Sequence, residues 1–148
     1  MRRLAHDLRI DTAGRALDEA LDELVARDPD PGLLLRRTVE GEPLALTPRI
    51  VAECTAIVAE AVRNARRPAR AASGITIATR WRADARVVEV VDDGGGAAAD
   101  RAPGGRLGIA GMRERAERIG GAVEVGASAG GTEVRLVLPF GGRAHADP

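Results

Sequence analysis

The sequence predicts an α+β fold, a two-layer sandwich whose helices cover one face of a mixed, mostly antiparallel sheet. Three observations predict it. The element order reads helix, strand, long helix, two strands, loop, helix, two strands, which does not alternate as parallel βαβ units do. Two of the strand pairs are joined by turn-sized links and read as hairpins. The chain has 148 residues, which suits one domain, and a chain of that size buries about 68–70% of its unfolded surface.

Leu17, Leu21, Leu24 and Val25 recur at helical spacing, so residues 16–26 form an amphipathic helix. The cluster from Asp28 to Gly32, with its two prolines, stops it. Leu33–Val39 is a short strand closed by Glu40, Gly41, Glu42 and Pro43. Thr47 and Pro48 open the longest helix, because proline's missing N–H would be unpaired in a first turn anyway. Ile50, Cys54, Ile57, Val58, Ala61, Val62 and Ala65 form its apolar stripe, and Pro68 ends it. Glu53, Glu60, Asn64 and Arg67 lie on an adjoining stripe at the rim of the buried face.

Gly74–Trp81 alternates, with Ile75, Ile77, Thr79 and Trp81 on one side, and Arg86–Val91 pairs with it across Ala83–Ala85. Residues 97–105 carry no periodicity and read as a flexible loop. A short helix from Met112 to Ile119 turns Met112, Ala116 and Ile119 inward, and Gly120 and Gly121 stop it. Residues 122–126 and 132–138 make a terminal hairpin across 127–131. The expected division is an N-terminal extension at 1–15, a folded domain at 16–140 and a disordered tail at 141–148.

Composition narrows the function. The 22 basic and 22 acidic side chains cancel, whereas phosphate-backbone binding needs a basic excess, so nucleic acid is not the expected partner. Aromatics are 1%, which leaves no base-stacking platform. Every basic residue is Arg, a bias that fits a GC-rich genome, so no Arg is informative merely for being Arg. No apolar run reaches the ~20 residues of a membrane-spanning helix, so no direct membrane contact is expected. The first residues are charged throughout and form no secretory signal. One cysteine, Cys54, excludes an internal disulfide, suits a reducing, cytoplasmic compartment and reads as core.

Three clusters suggest one nucleotide site. Glu60, Asn64 and Arg67 offer hard oxygens for Mg²⁺ and a guanidinium for phosphate, although a solvated polar face carries the same residues. Asp92, Asp93 and Gly94–Gly96 end a Val-rich strand in an acid and glycines, where a carboxylate can accept from an exocyclic amine and the backbone can approach a ligand. An ordinary Asp-Gly turn looks alike. Gly104–Met112 is glycine-rich and enters a helix, where free N–H groups and the helix dipole favour an anion. The absence of Lys excludes a P-loop.

In order and spacing, Glu60-x-x-x-Asn64, Asp92-x-Gly94-x-Gly96, Gly108-Ile109-x-Gly111-Met112 and Gly131-Thr132 resemble the N, G1 and G2 boxes and terminal Gly-Thr of the GHKL ATPases. The run Gly111–Ala116, followed by Ile119-Gly120-Gly121, resembles the sensor histidine kinases that serve nitrate-type, NarL-like response regulators. The resemblance spans residues 17–139. It implies a Bergerat fold binding ATP with Mg²⁺. Asp92 would take the adenine amino group, with Thr132, Gly94 and Gly96 beside it. Asn64 would hold Mg²⁺, with Glu60 at the phosphates or metal-bound water and Arg67 neutralising charge. Gly108 and Gly111, flanked by Ile109 and Met112, would offer N–H groups to the phosphates, and residues 97–107 would form the ATP lid.

The implied function is the catalytic domain of a histidine kinase, cytoplasmic in itself or as part of a membrane-bound kinase. It would donate the γ-phosphoryl group to a histidine on a dimerisation domain supplied in cis or in trans. His6 stands too close ahead of Asn64 to leave room for that helical hairpin and reads as a surface residue, while His145 falls in the tail. Pro68 stands where the family usually has His, and Arg106 where it often has Gly. Both departures favour the alternative, a nucleotide-binding regulatory module resembling a degenerate kinase or anti-sigma factor without phosphotransfer. A self-contained ATPase of the gyrase or chaperone kind, with Glu60 as base, is a third reading.

Overall fold

The computed structural model describes residues 17–27, 32–44, 46–67, 71–94, 105–128 and 130–139. The expectations for His6, Pro68, Gly96, residues 97–104, the tail and His145 fall outside them. Helix α1 covers residues 17–26, α2 Pro48–Ala65 and α3 Gly105–Arg118. The strands are β1 (Leu34–Glu40), β2 (Gly74–Trp81), β3 (Ala85–Asp92), β4 (Ala122–Ser128) and β5 (Gly131–Pro139). They form one sheet in the order β1-β2-β3-β5-β4. Only the β1–β2 pair is parallel; the other three are antiparallel.

One face of this sheet packs against the helices. Ile75, Ile77, Val88, Val90, Val134, Leu136 and Leu138 join Leu17, Leu21, Cys54, Ile57, Val58, Met112 and Ala116 in one core. The other face alternates charge across strands: Arg80 pairs with Glu40 and Glu89, and Arg135 approaches Glu89. Period-two alternation thus separates an oily layer from a wet one.

The start of α2 follows its sequence closely. Thr47 is the N-cap, its hydroxyl oxygen accepting from the Ile50 N–H at 3.2 Å, and Pro48 sits in the first turn. Cys54 is fully buried, and that burial pushes its thiol up to about 12.

Helix α1 is held by Arg37 of β1. Its guanidinium donates to Asp18 Oδ1 (2.7 Å), Asp22 Oδ1 (3.0 Å), Thr79 Oγ1 (2.8 Å) and the Ile77 carbonyl (3.1 Å). The Trp81 indole N–H donates to Asp18 Oδ2 at 3.1 Å. A carboxylate so buried is tolerated because each oxygen has a donor.

Two boundaries differ from expectation in ways that matter. Asp92 belongs to β3 itself, paired with Thr132, and does not follow the strand. Helix α3 begins at Gly105, seven residues ahead of the expected Met112, so 105–107 are helical backbone. Glycine's poor helix propensity makes 104–111 look like loop. Packing against α2 and β4 overrides it, and Ile109 joins Met112 and Ala116 on the inward stripe. No helix among the described residues is long and apolar enough to cross a membrane.

Candidate functional site

The orientation of α2 decides where its polar residues go. Cys54, early in α2, lies near enough to Arg86, early in β3, for their charges to interact. Ten residues of helix advance about 15 Å from Cys54 to Asn64. Six residues of strand advance about 20 Å from Arg86 to Asp92. The end of α2 then connects to β2, whose Ile75 pairs with Asp92. Asn64 therefore lies toward the Asp92 end of the sheet.

At the sheet end, Asp92 and Thr132 are cross-strand partners on the helix-facing side, 6% and 2% exposed. Asp92 Oδ1 accepts from the Gly94 N–H at 2.9 Å, which turns the chain sharply after the strand. Thr132 Oγ1 is buried with no hydrogen-bond partner. A buried hydroxyl left unsatisfied is costly, and such groups commonly mark where a ligand belongs. Gly131 is required beside them by space: a Cβ there would lie 1.7 Å from the Asp92 carbonyl oxygen.

Asp93 faces the opposite way and is structural. It accepts from the Ser73 hydroxyl (2.7 Å), the Ser73 N–H (2.7 Å) and the Gly74 N–H (3.0 Å), tying the start of β2 to the end of β3. The Ser73 hydroxyl, then the Gly74 and Ser73 amides, hold its carboxyl below the ordinary range. Adjacent acids of one sequence motif thus take different tasks.

At the helix end, α2 and α3 converge. A Cβ on Gly108 would lie 2.9 Å from Glu60 Oε2, 3.3 Å from Asn64 Nδ2 and 3.6 Å from Asn64 Oδ1. Glu60, Asn64 and Gly108 therefore meet. Asn64 is 6% exposed and its Oδ1 has no partner. A cavity of about 400 Å³ opens here, bordered by Glu60, Arg63, Gly108, Gly111 and Met112. Met112 is itself 1% exposed, so its side chain is core as well as cavity wall. Arg67 donates its backbone N–H to the Asn64 carbonyl at 3.2 Å. A helix leaves only its first four N–H groups unpaired. Gly111, the seventh residue of α3, lies beyond that turn, so the amides open to an anion belong to the residues before it.

These residues fit Mg²⁺. No group of three or more His, Cys, Asp or Glu among the described residues can hold a metal. Mg²⁺ does not need one, since it keeps several waters and takes one or two protein oxygens plus phosphate. An orphaned amide oxygen next to a carboxylate, in a cradle kept open by a glycine, is such a donor set.

Helix α3 is fastened to α2 by charge, a contact the sequence stripe did not assign. Arg115 donates to Glu53 Oε1 at 2.8 Å and Arg118 approaches Oε2 at 3.5 Å. The Arg115 hydrogen bond holds the Glu53 carboxyl below its usual 4.5, outweighing the opposing effect of burial. A depressed carboxyl stabilises the fold above its unfolded value and loses that contribution as pH falls through the lowered one. Glu53→Gln should therefore lower the urea midpoint at neutral pH, with the gap to the unaltered chain closing below about pH 4. A gap that persists unchanged in acid would show that the ion pair is not its source.

The fold is an α+β sandwich that carries an acid and a hydroxyl at one strand end and brings a helix-borne amide, a carboxylate and a glycine together where α2 meets α3. The sequence profile of the histidine kinase-, DNA gyrase B- and HSP90-like ATPases matches residues 51–142, more than half of the 148-residue chain. The chain belongs to this ATPase family. Similar folds include the histidine kinase domain of the blue-light activated kinase of Erythrobacter litoralis EL346, at TM-score 0.68 and 20% identity over 91% of this chain and 65% of that one. The ATP-binding domain of PrrB from Mycobacterium tuberculosis follows at 0.58 and 21%, over 88% and 92%. The mycobacterial sensor histidine kinase MprB gives 0.56 and 20%, over 83% and 91%. At these identities the likeness is one of fold. The chain spans 65% and 45% of the two E. litoralis kinase chains it resembles. No curated protein matches it in sequence.

Proposed function

We propose that this domain binds Mg-ATP and donates the γ-phosphoryl group to a histidine on a dimerisation domain, in cis or in trans, in a cytoplasmic two-component pathway. The observation that carries the reading is the meeting of Gly108 with Glu60 and the unpartnered Asn64 oxygen. The run Gly111–Ala116 supports a kinase serving a NarL-like regulator. Residues 16–140 constitute the domain, with 1–15 an extension and 141–148 a tail.

In this reading Asp92 accepts a hydrogen bond from the adenine amino group while its other oxygen stays on Gly94. Thr132 supplies its free hydroxyl, and Gly94 and Gly96 let the base approach the backbone. Asn64 Oδ1 holds Mg²⁺, which neutralises the developing charge on the phosphates when bound. Glu60 orients metal-bound water, and Arg67 and the start of α3, around Gly108 and Ile109, face the phosphates. Met112 packs in the core beneath them, and Gly111 leaves the cavity wall open. Phosphoryl transfer asks chiefly for such positioning and charge neutralisation.

ATP titrated by calorimetry with and without Mg²⁺ tests the site. Asn64→Ala should make the two titrations superimpose, because it removes the metal-facing oxygen at little cost to the helix. A metal response equal to that of the unaltered chain overturns the Asn64 assignment. Radiolabelled ATP with a dimerisation domain supplied separates the functions. Phospho-histidine supports the kinase; binding without transfer supports the regulatory module.

A further inference from the structure

The Glu60 carboxylate serves two neighbours. Oε2 is the atom nearest a Cβ at Gly108, while Oε1 accepts from the Arg63 guanidinium three residues along α2. Arg63 borders the cavity with Glu60, Gly108 and Gly111, and its side chain is 65% exposed. Among the described residues, the other guanidinium on this rim, Arg115, is committed to Glu53. Arg63 is thus held by a carboxylate of the site itself, through an exposed pair of a spacing that is weak and cheap to exchange.

An anionic triphosphate arriving beside Glu60 meets a like charge unless a cation offsets it. We propose that Arg63 is the site's own counter-cation. Without nucleotide it covers Glu60. With Mg-ATP it turns to the polyphosphate, so that Glu60 is released to the metal-bound water as the phosphate charge is met. The arm is long enough to do both because its α-carbon stays on the same helix turn as Glu60 and Asn64. No bond is made or broken; one ion pair is exchanged for another. The inference rests on the nucleotide reading above and assigns to that site a residue that the N-box spacing leaves out.

The test compares the full chain with Arg63→Gln and Arg63→Lys, titrating ATP and AMP in the presence of Mg²⁺. Arg63→Gln should weaken ATP by about tenfold, the scale of one solvent-exposed charge-assisted contact. AMP affinity should not change, and the fall of ATP affinity with added salt should become shallower. Arg63→Lys should recover most of the loss, since it keeps a cation on a long arm. An equal loss for ATP and AMP overturns the proposal and makes Arg63 structural. ATP affinity that is unchanged or tighter also overturns it, because Arg63 would then be at most a cover for Glu60. If the unaltered chain binds no ATP, the nucleotide reading falls and this inference with it.

Discussion

Asp92→Asn should abolish adenine-nucleotide binding while leaving the domain folded. The reason lies in how the two carboxylate oxygens are used. Oδ1 accepts from the Gly94 N–H at 2.9 Å, and an asparagine carbonyl oxygen can keep that bond. The second position changes from an acceptor to an N–H₂ donor, which then confronts the amino group of adenine donor to donor. Hydrogen bonds to charged groups are worth about 1.5–3 kcal/mol, and a buried mismatch adds its own desolvation cost, so affinity should fall about 100-fold or more. Calorimetry reads the affinity, and an unchanged melting temperature certifies the fold. Undiminished ATP affinity in a folded Asp92→Asn chain places the adenine pocket elsewhere.

Gly131→Ala should have the largest effect on stability. The added Cβ would stand 1.7 Å from the Asp92 carbonyl oxygen and 2.6 Å from its carbon, both backbone atoms that cannot rotate aside. β5 would have to separate from β3 at the pair that carries Asp92 and Thr132. Overpacking in a core costs about 1–3 kcal/mol even where side chains can yield, so the melting temperature should drop by about 10 °C or more. Gly126→Ala is the control. It lies in the neighbouring strand, and a Cβ there meets nothing within 4 Å, so its melting temperature should barely move. Equal melting temperatures for the two variants would mean that the sheet does not close tightly at the site.

The strands and the long helix were legible because their signals are local. Thr47 and Pro48 mark a helix start by hydrogen-bond chemistry alone. Alternation in Gly74–Trp81 defines a strand whose bounds the fold reproduces. The start of α3 was not legible, because its glycines weaken a helix locally, and only the close approach of Gly108 to Glu60 and Asn64 on α2 reveals what that glycine gains in exchange. Likewise, the meeting of Glu60, Asn64 and Gly108 follows from family spacing, but the split of Asp92 and Asp93 between a pocket and a latch depends on which way each side chain leaves the strand. The Glu53–Arg115 tie and the Arg37 network join residues distant in the chain, and no periodicity announces them. The i,i+3 spacing of Glu60 and Arg63 is a further local signal of a contact at the site, one that the stripe of Glu53, Glu60, Asn64 and Arg67 leaves out.

Arg37 has a mechanical meaning. Its planar guanidinium bonds α1 through Asp18 and Asp22, and β2 through Thr79 and the Ile77 carbonyl, from a strand lying between them in the chain. Asp18 closes the loop by receiving the Trp81 indole. Helix and sheet are riveted here in addition to the packing of Leu17 and Leu21 in the core, so a torque applied to the amino-terminal helix is not absorbed by its swivelling alone. It travels into β2, and β2 is the strand whose first residues grip the Asp92–Asp93 corner.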